Sequence, residues 1–193
     1  MTAVQQSEVA FCREAFAKSY REIISDHIRA HSIGTNVSQD SLLTTDYLNH
    51  FNEVVMLLHL LPTAPLEIAA DLSGWKPKSY EEHFQTSGFR DKALAIAGYQ
   101  NSPDDIRQAF DAAIGNLERE LVILLLDVEA KVGENDIAGL QRLCDQVVPE
   151  ILDLIDVAAD VVNSEEAAID SPRDDGRPDS VNPKQAAIDA LFD

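Results

Sequence analysis

The sequence predicts an all-α fold, a helical bundle built on a long antiparallel helical hairpin. Three observations carry that expectation. Residues 103–163 hold two apolar stripes at helical spacing, separated only by Gly133-Glu134-Asn135. Aromatics make up only 6% of the chain while Ala and Leu are abundant, a mix that favours helices over a sheet sandwich. With 193 residues, 45% hydrophobic by type and 25% charged, the chain can bury one sizeable core and still carry an extension.

Taken in order, residues 3–31 read as a first helix, with Cys12, Phe16, Tyr20, Ile23 and His27 spaced by threes and fours and charges between them. It stops near Gly34-Thr35-Asn36. Thr44 or Thr45 can cap a second helix that runs to Leu61 and is apolar over most of its circumference from Tyr47 to Leu58, as a central buried helix would be. Pro62 and Pro65 end it. A short helix near 65–72 follows, and Gly74-Trp75-Lys76-Pro77 makes an irregular link. The Trp75–Tyr80 stretch is a basic and aromatic cluster in an acidic chain, read as a packed Trp or as a contact surface.

Ser79 and Glu82 form a capping-box pair that opens a helix at Tyr80, and another short helix is expected around 90–99. Ser102-Pro103-Asp104-Asp105 then combines a cap, a first-turn proline and two acids at the positive end of the dipole. The helix it opens should end at Gly133, with Ile106, Phe110, Ala113, Leu117, Leu121, Leu124 and Val128 in one stripe. In the next helix Ile137, Leu140, Cys144, Val147, Ile151, Leu154, Ala158 and Val161 alternate steps of three and four, the heptad seam of a coiled coil or bundle. That seam could also pair with a second copy to form a homodimer. Pro149 should kink this helix or remove one of its hydrogen bonds.

Beyond residue 163 the apolar content collapses. Residues 1–163 are therefore read as the helical bundle, 164–182 as a disordered acidic linker, and 183–193 as an amphipathic tail forming a short C-terminal helix. In that tail Ile188, Leu191 and Phe192 lie at i, i+3, i+4, so one helical turn gathers them on one face, with Gln185 at the edge and Asp189 and Asp193 turned towards water. This is the anchor pattern of a helix that binds in a groove.

A formal charge of −19, from 34 acids against 15 bases, repels nucleic-acid phosphate and anionic headgroups, so no nucleic-acid or membrane partner is expected. The longest strictly apolar run, Leu121–Leu126, is far short of the roughly 20 residues needed to span a bilayer, and the first twenty residues lack a secretory pattern. Two cysteines, Cys12 and Cys144, give no disulfide framework; both are expected on apolar helix faces. A reduced, cytoplasmic protein without cofactor is the expectation. No glycine-rich phosphate loop or nucleophile constellation occurs.

The tail resembles the response-regulator-binding peptides of bacterial chemotaxis: the amino-terminal peptide of the flagellar motor switch protein and the carboxy-terminal peptide of the chemotaxis phosphatase. Those peptides carry a Gln, a small or acidic stretch, an Ile or Val followed by Asp, and a Leu with a further large apolar residue. Gln185, Ile188, Asp189, Leu191 and Phe192 occupy those positions. The resemblance implies a receiver-domain response regulator as partner. The order of hairpin, linker and tail is also similar to the phosphatase family, whose hairpin brings an acid and, one turn later, a Gln that orients water for attack on the aspartyl phosphate. The Asp with Gln at i+4 here is Asp104 with Gln108, at the start of the helix instead of its middle, so dephosphorylation is implied only through that pair. Dipole and cap complementarity accounts for Asp104 without any other role, since acids in a first helical turn need no further reason.

Histidines supply an alternative of another class, a metal- or small-ligand-binding bundle. His27 and His31 are i, i+4 on the first helix and His50 and Glu53 are i, i+3 on the second, so two faces could offer four ligands. The paired Glu-x-x-His motifs of ferritin-like sites are absent.

Overall fold

The computed structural model describes residues 3–164, and these fold into seven α-helices with no strand among them. The fold class is all-α, as the sequence predicts. The linker and tail, 165–193, lie outside the described residues.

Helix α1 spans Ala3–Ser32. A single 3-10 turn, Thr45–Leu48, leads into α2, Asn49–Leu60. Thr44 caps the turn as expected, its hydroxyl accepting from the Asp46 amide at 3.2 Å. Helices α3 (Pro65–Gly74), α4 (Tyr80–Thr86) and α5 (Lys92–Asn101) follow. The Ser79 hydroxyl accepts from the Glu82 amide at 3.2 Å, the forward half of the expected capping box.

The hairpin consists of α6, Asp104–Gly133, and α7, Ile137–Asn163. Two devices make the reversal between them. Asn135 takes a left-handed backbone (φ 56°), and the Asp136 carboxylate accepts from the Gly139 amide at 2.8 Å to cap α7. A side chain on residue 139 would run into that carboxylate where it now sits, so the cap in this form favours glycine.

Helices α6 and α7 pack along their length and form the spine, with α2 against α7, α3 against both α6 and α2, α4 beside α5, and α1 against α5. The core runs between these layers, from Tyr47, Phe51 and Leu58 through Phe84 and Phe110 to Leu117, Leu121, Leu140 and Ile151. All seven residues of the α6 stripe pack as read, with Ile106 half-buried at the end and Ile114 added.

Three expectations about which faces are buried are corrected. On α7 the buried row is Leu140, Cys144, Val148, Ile151, Ile155, Ala158 and Val162, so the 22 residues are covered in six steps, close to the 3.6 period of a straight helix rather than the 3.5 of a heptad seam. The expected seam positions Val147, Leu154 and Val161 are half-buried beside it, and Ile137 is exposed. On α1 the expected stripe faces solvent: Phe16, Tyr20 and Ile23 are 74%, 58% and 65% exposed, while Ile28 and Ser32 are buried one row away. The reason is length, since 30 residues of α1 meet 10 of α5 and the partner runs out. Third, Met56 and Leu60 are exposed, so α2 is buried on one side only.

Ser102 does not cap α6. Its buried hydroxyl donates to the Ser41 carbonyl at 2.7 Å, and the Ser41 hydroxyl donates to the Val162 carbonyl at 2.6 Å. The Thr44 amide donates to the Tyr80 hydroxyl at 3.0 Å. The loop 38–44 is thereby tied to α7, to the α5–α6 corner and to α4. Pro149 lies on the exposed side of α7, which continues through it as one helix.

Candidate functional site

Helix α3 presents Leu66, Ala69, Ala70 and Ser73 at i, i+3, i+4, i+7, so one face is built mostly of small side chains. Across from it α6 presents Val122, Leu125, Leu126 and Val132. Small residues on one wall and large ones on the other leave an apolar groove of about 520 Å³, closed at one end by Trp75 and Pro77 and carrying one acid, Glu129. Leu66 is 77% exposed and Leu126 is 62% exposed, so the apolar lining is open to solvent.

Trp75 is fixed by its surroundings. Its Nε1 donates to the His50 carbonyl at 3.2 Å, and its ring stacks on the His50 imidazole with centroids 5.0 Å apart and planes 22° apart. His50 Nε2 donates in turn to the Lys76 carbonyl at 3.0 Å. The link from α3 to α4 is thus held from beneath by α2, and the packed-Trp reading of this stretch is the one the geometry supports. Lys76 is exposed and Lys78 is half-buried.

On the other side of His50 lies a crevice of about 260 Å³, lined by Asn49, His50, Glu53, Lys78, His83, Thr86 and Ser87. The rings of His50 and His83 are 5.9 Å apart, and His83 meets the Tyr47 ring edge-on at 5.4 Å. Burial holds both imidazoles below their ordinary value; Lys78 adds to the effect on each, and His50 adds to it on His83. Burial thus favours the neutral form of both rings. His83 was not singled out in the sequence, although Tyr80, His83 and Phe84 at i, i+3, i+4 mark one face of α4.

The other sequence candidates are dispersed. His27 and His31 are exposed on α1, their rings 4.2 Å apart and His31 Nδ1 bonded to the His27 carbonyl at 2.8 Å. No three His, Cys, Asp or Glu side chains gather as a metal site among the described residues, so His27, His31, His50 and Glu53 do not form the four-ligand set. Asp104 accepts from Arg107 Nη2 at 2.7 Å and lies 3.7 Å from Arg21, while Gln108 is exposed. Cys144 is buried, and burial raises its thiol above the usual value, as for a structural cysteine. The tail candidates Gln185, Ile188, Asp189, Leu191 and Phe192 lie outside the described residues. No helix among the described residues is long and apolar enough to cross a membrane.

The chain matches no protein-family model, no curated protein and no solved structure.

Proposed function

We propose that this protein binds a receiver-domain response regulator of bacterial motility signalling through residues 185–193. The observation that carries the reading is the tail's own pattern. Gln185, the Ile188-Asp189 pair, and Leu191 with Phe192 reproduce the spacing of the chemotaxis regulator-binding peptides and place three apolar anchors on one helical face. An all-α bundle with a long hairpin, followed by a further 29 residues that include this segment, is the accompanying arrangement.

The reading is of a binder, with dephosphorylation resting on Asp104 and Gln108 alone. Catalysis of the family's kind needs an acid able to enter the partner and an amide one turn on; Asp104 and Gln108 are both exposed, but at the helix start and with Asp104 paired to Arg107. The metal-carrier alternative loses its support because its ligands are not gathered.

The test is a calorimetric titration of chemotaxis-type receiver domains, with and without a phosphoryl mimic, against the full chain and its Ile188→Ala and Leu191→Ala variants. Each substitution should cost about 1–3 kcal/mol of binding, as truncated anchors do. Equal affinity in all three proteins, or no binding by any, overturns the proposal.

A further inference from the structure

We infer that the groove between α3 and α6 is the docking site of the chain's own segment Gln185–Asp193, so that the segment the proposed function assigns to a partner is masked when no partner is bound. The inference rests on reading that segment as an amphipathic helix.

Complementarity is the first support. The segment offers Ile188, Leu191 and Phe192 on one face and Asp189 and Asp193 on the other. The groove offers an apolar floor of about 520 Å³, within the roughly 300–1,000 Å³ range of clefts that hold compact apolar ligands. Its single acid, Glu129, lies on the α6 wall, and Lys76, between the lining residues Trp75 and Pro77, is exposed. One acid in the lining and an exposed lysine next to it, in a chain with 34 acids and 15 bases, repel an acidic helix less than the average surface of this chain does.

Reach is the second support. The end of α7 lies beside the start of α6, since Val162 and Ser102 both bond to Ser41. From there to Leu126 is 22 residues along α6, or about 33 Å at 1.5 Å per residue. The 24 residues from Ser164 to Ile188 span up to about 80 Å, so the segment reaches the groove of its own molecule.

The chain carries a built-in reporter, because Trp75 is its one tryptophan and lines the groove. The experiment compares acrylamide quenching and the emission maximum of Trp75 in the full chain, in Leu191→Asp with Phe192→Asp, and in Leu126→Asp, an exposed groove position that tolerates a charge. The expected result is a shielded Trp75 in the full chain, with quenching raised and emission shifted to the red in both variants. Circular dichroism checks that helix content is unchanged. Identical quenching in the full chain and the tail variant overturns the inference. Shielding that vanishes on dilution also overturns it, since the occupant would then come from a second copy. No receiver domain takes part, so this test can fail while the binding proposal stands, and the reverse. Where both hold, Leu126→Asp binds the receiver more tightly than the parent chain, because a masked fraction is released.

Discussion

Gly98 sits where α5 crosses the loop that precedes α2, and a Cβ there would run into the Leu42 carbonyl. Leu42 itself is fully buried with a left-handed backbone (φ 60°), a conformation that a branched aliphatic residue adopts only when its surroundings impose it. The two residues explain each other: the bare glycine admits the carbonyl, and burial of the leucine holds the turn. Gly98→Ala should therefore destabilise by about 1–3 kcal/mol, the usual consequence of overpacking, measured by urea unfolding. A neutral result would mean that loop 38–44 shifts without loss. The second residue-scale expectation concerns pH. Burial depresses His50 and His83, so below their ordinary value of 6.5 the unfolded chain takes up protons that the folded chain resists. Their contribution to stability is complete above that value and is lost as pH falls through their folded values. Melting temperature should fall between about pH 7 and pH 5, and His50→Gln with His83→Gln should flatten the slope. Glu118, whose carboxyl is raised by burial, acts with the opposite sign. An unflattened slope would assign the effect to other groups.

Among the elements, α7 separates what sequence pattern can tell from what it cannot. A heptad reading and a straight-helix reading share Leu140, Cys144, Ile151 and Ala158, then part at 147 against 148 and at 154 against 155. Adjacent apolar residues at each split leave the sequence without a preference; only the neighbours of α7 decide. Ile155→Ala should cost about 2–5 kcal/mol and Leu154→Ala less than half of that, read from denaturation midpoints, and the reverse order would restore the heptad seam. Elsewhere legibility followed the range of the interaction. The Ser79 cap and the α6 stripe are settled within a few residues of chain and were readable. Ser102 looked like a cap because its real partner, the Ser41 carbonyl, is 61 residues away. The α1 stripe was identified by its period, but whether another helix reaches it depends on the length of α5. The groove went unseen because Ala69, Ala70 and Ser73 carry little apolar signal. A site made by small residues is defined by what they leave open.

For the molecule as a whole, charge acts through its field more than through pairs. The ion pairs among the described residues, such as Arg29 with Asp26 and Arg90 with Asp91, involve largely solvent-exposed groups and contribute little individually. A net charge of −19 instead steers encounters, so association with the proposed receiver-domain partner, if it presents a basic residue, should slow as salt rises while dissociation changes less. The same chain joins an early loop to the end of α7 by a short hydrogen bond, beside the packing of α2 on α7. The Ser41–Val162 bond joins residues 121 apart, and closing a loop of that size opposes folding by about 4 kcal/mol, far more than the three-residue turn between α6 and α7. On a chain emerging from the ribosome, α2 and its loop must therefore wait, unlatched, for nearly the whole bundle to be made. Over that interval Leu42 and its neighbours lack the partners that bury them in the fold, and synthesis of the hairpin, the last part of the bundle in chain order, is what ends it.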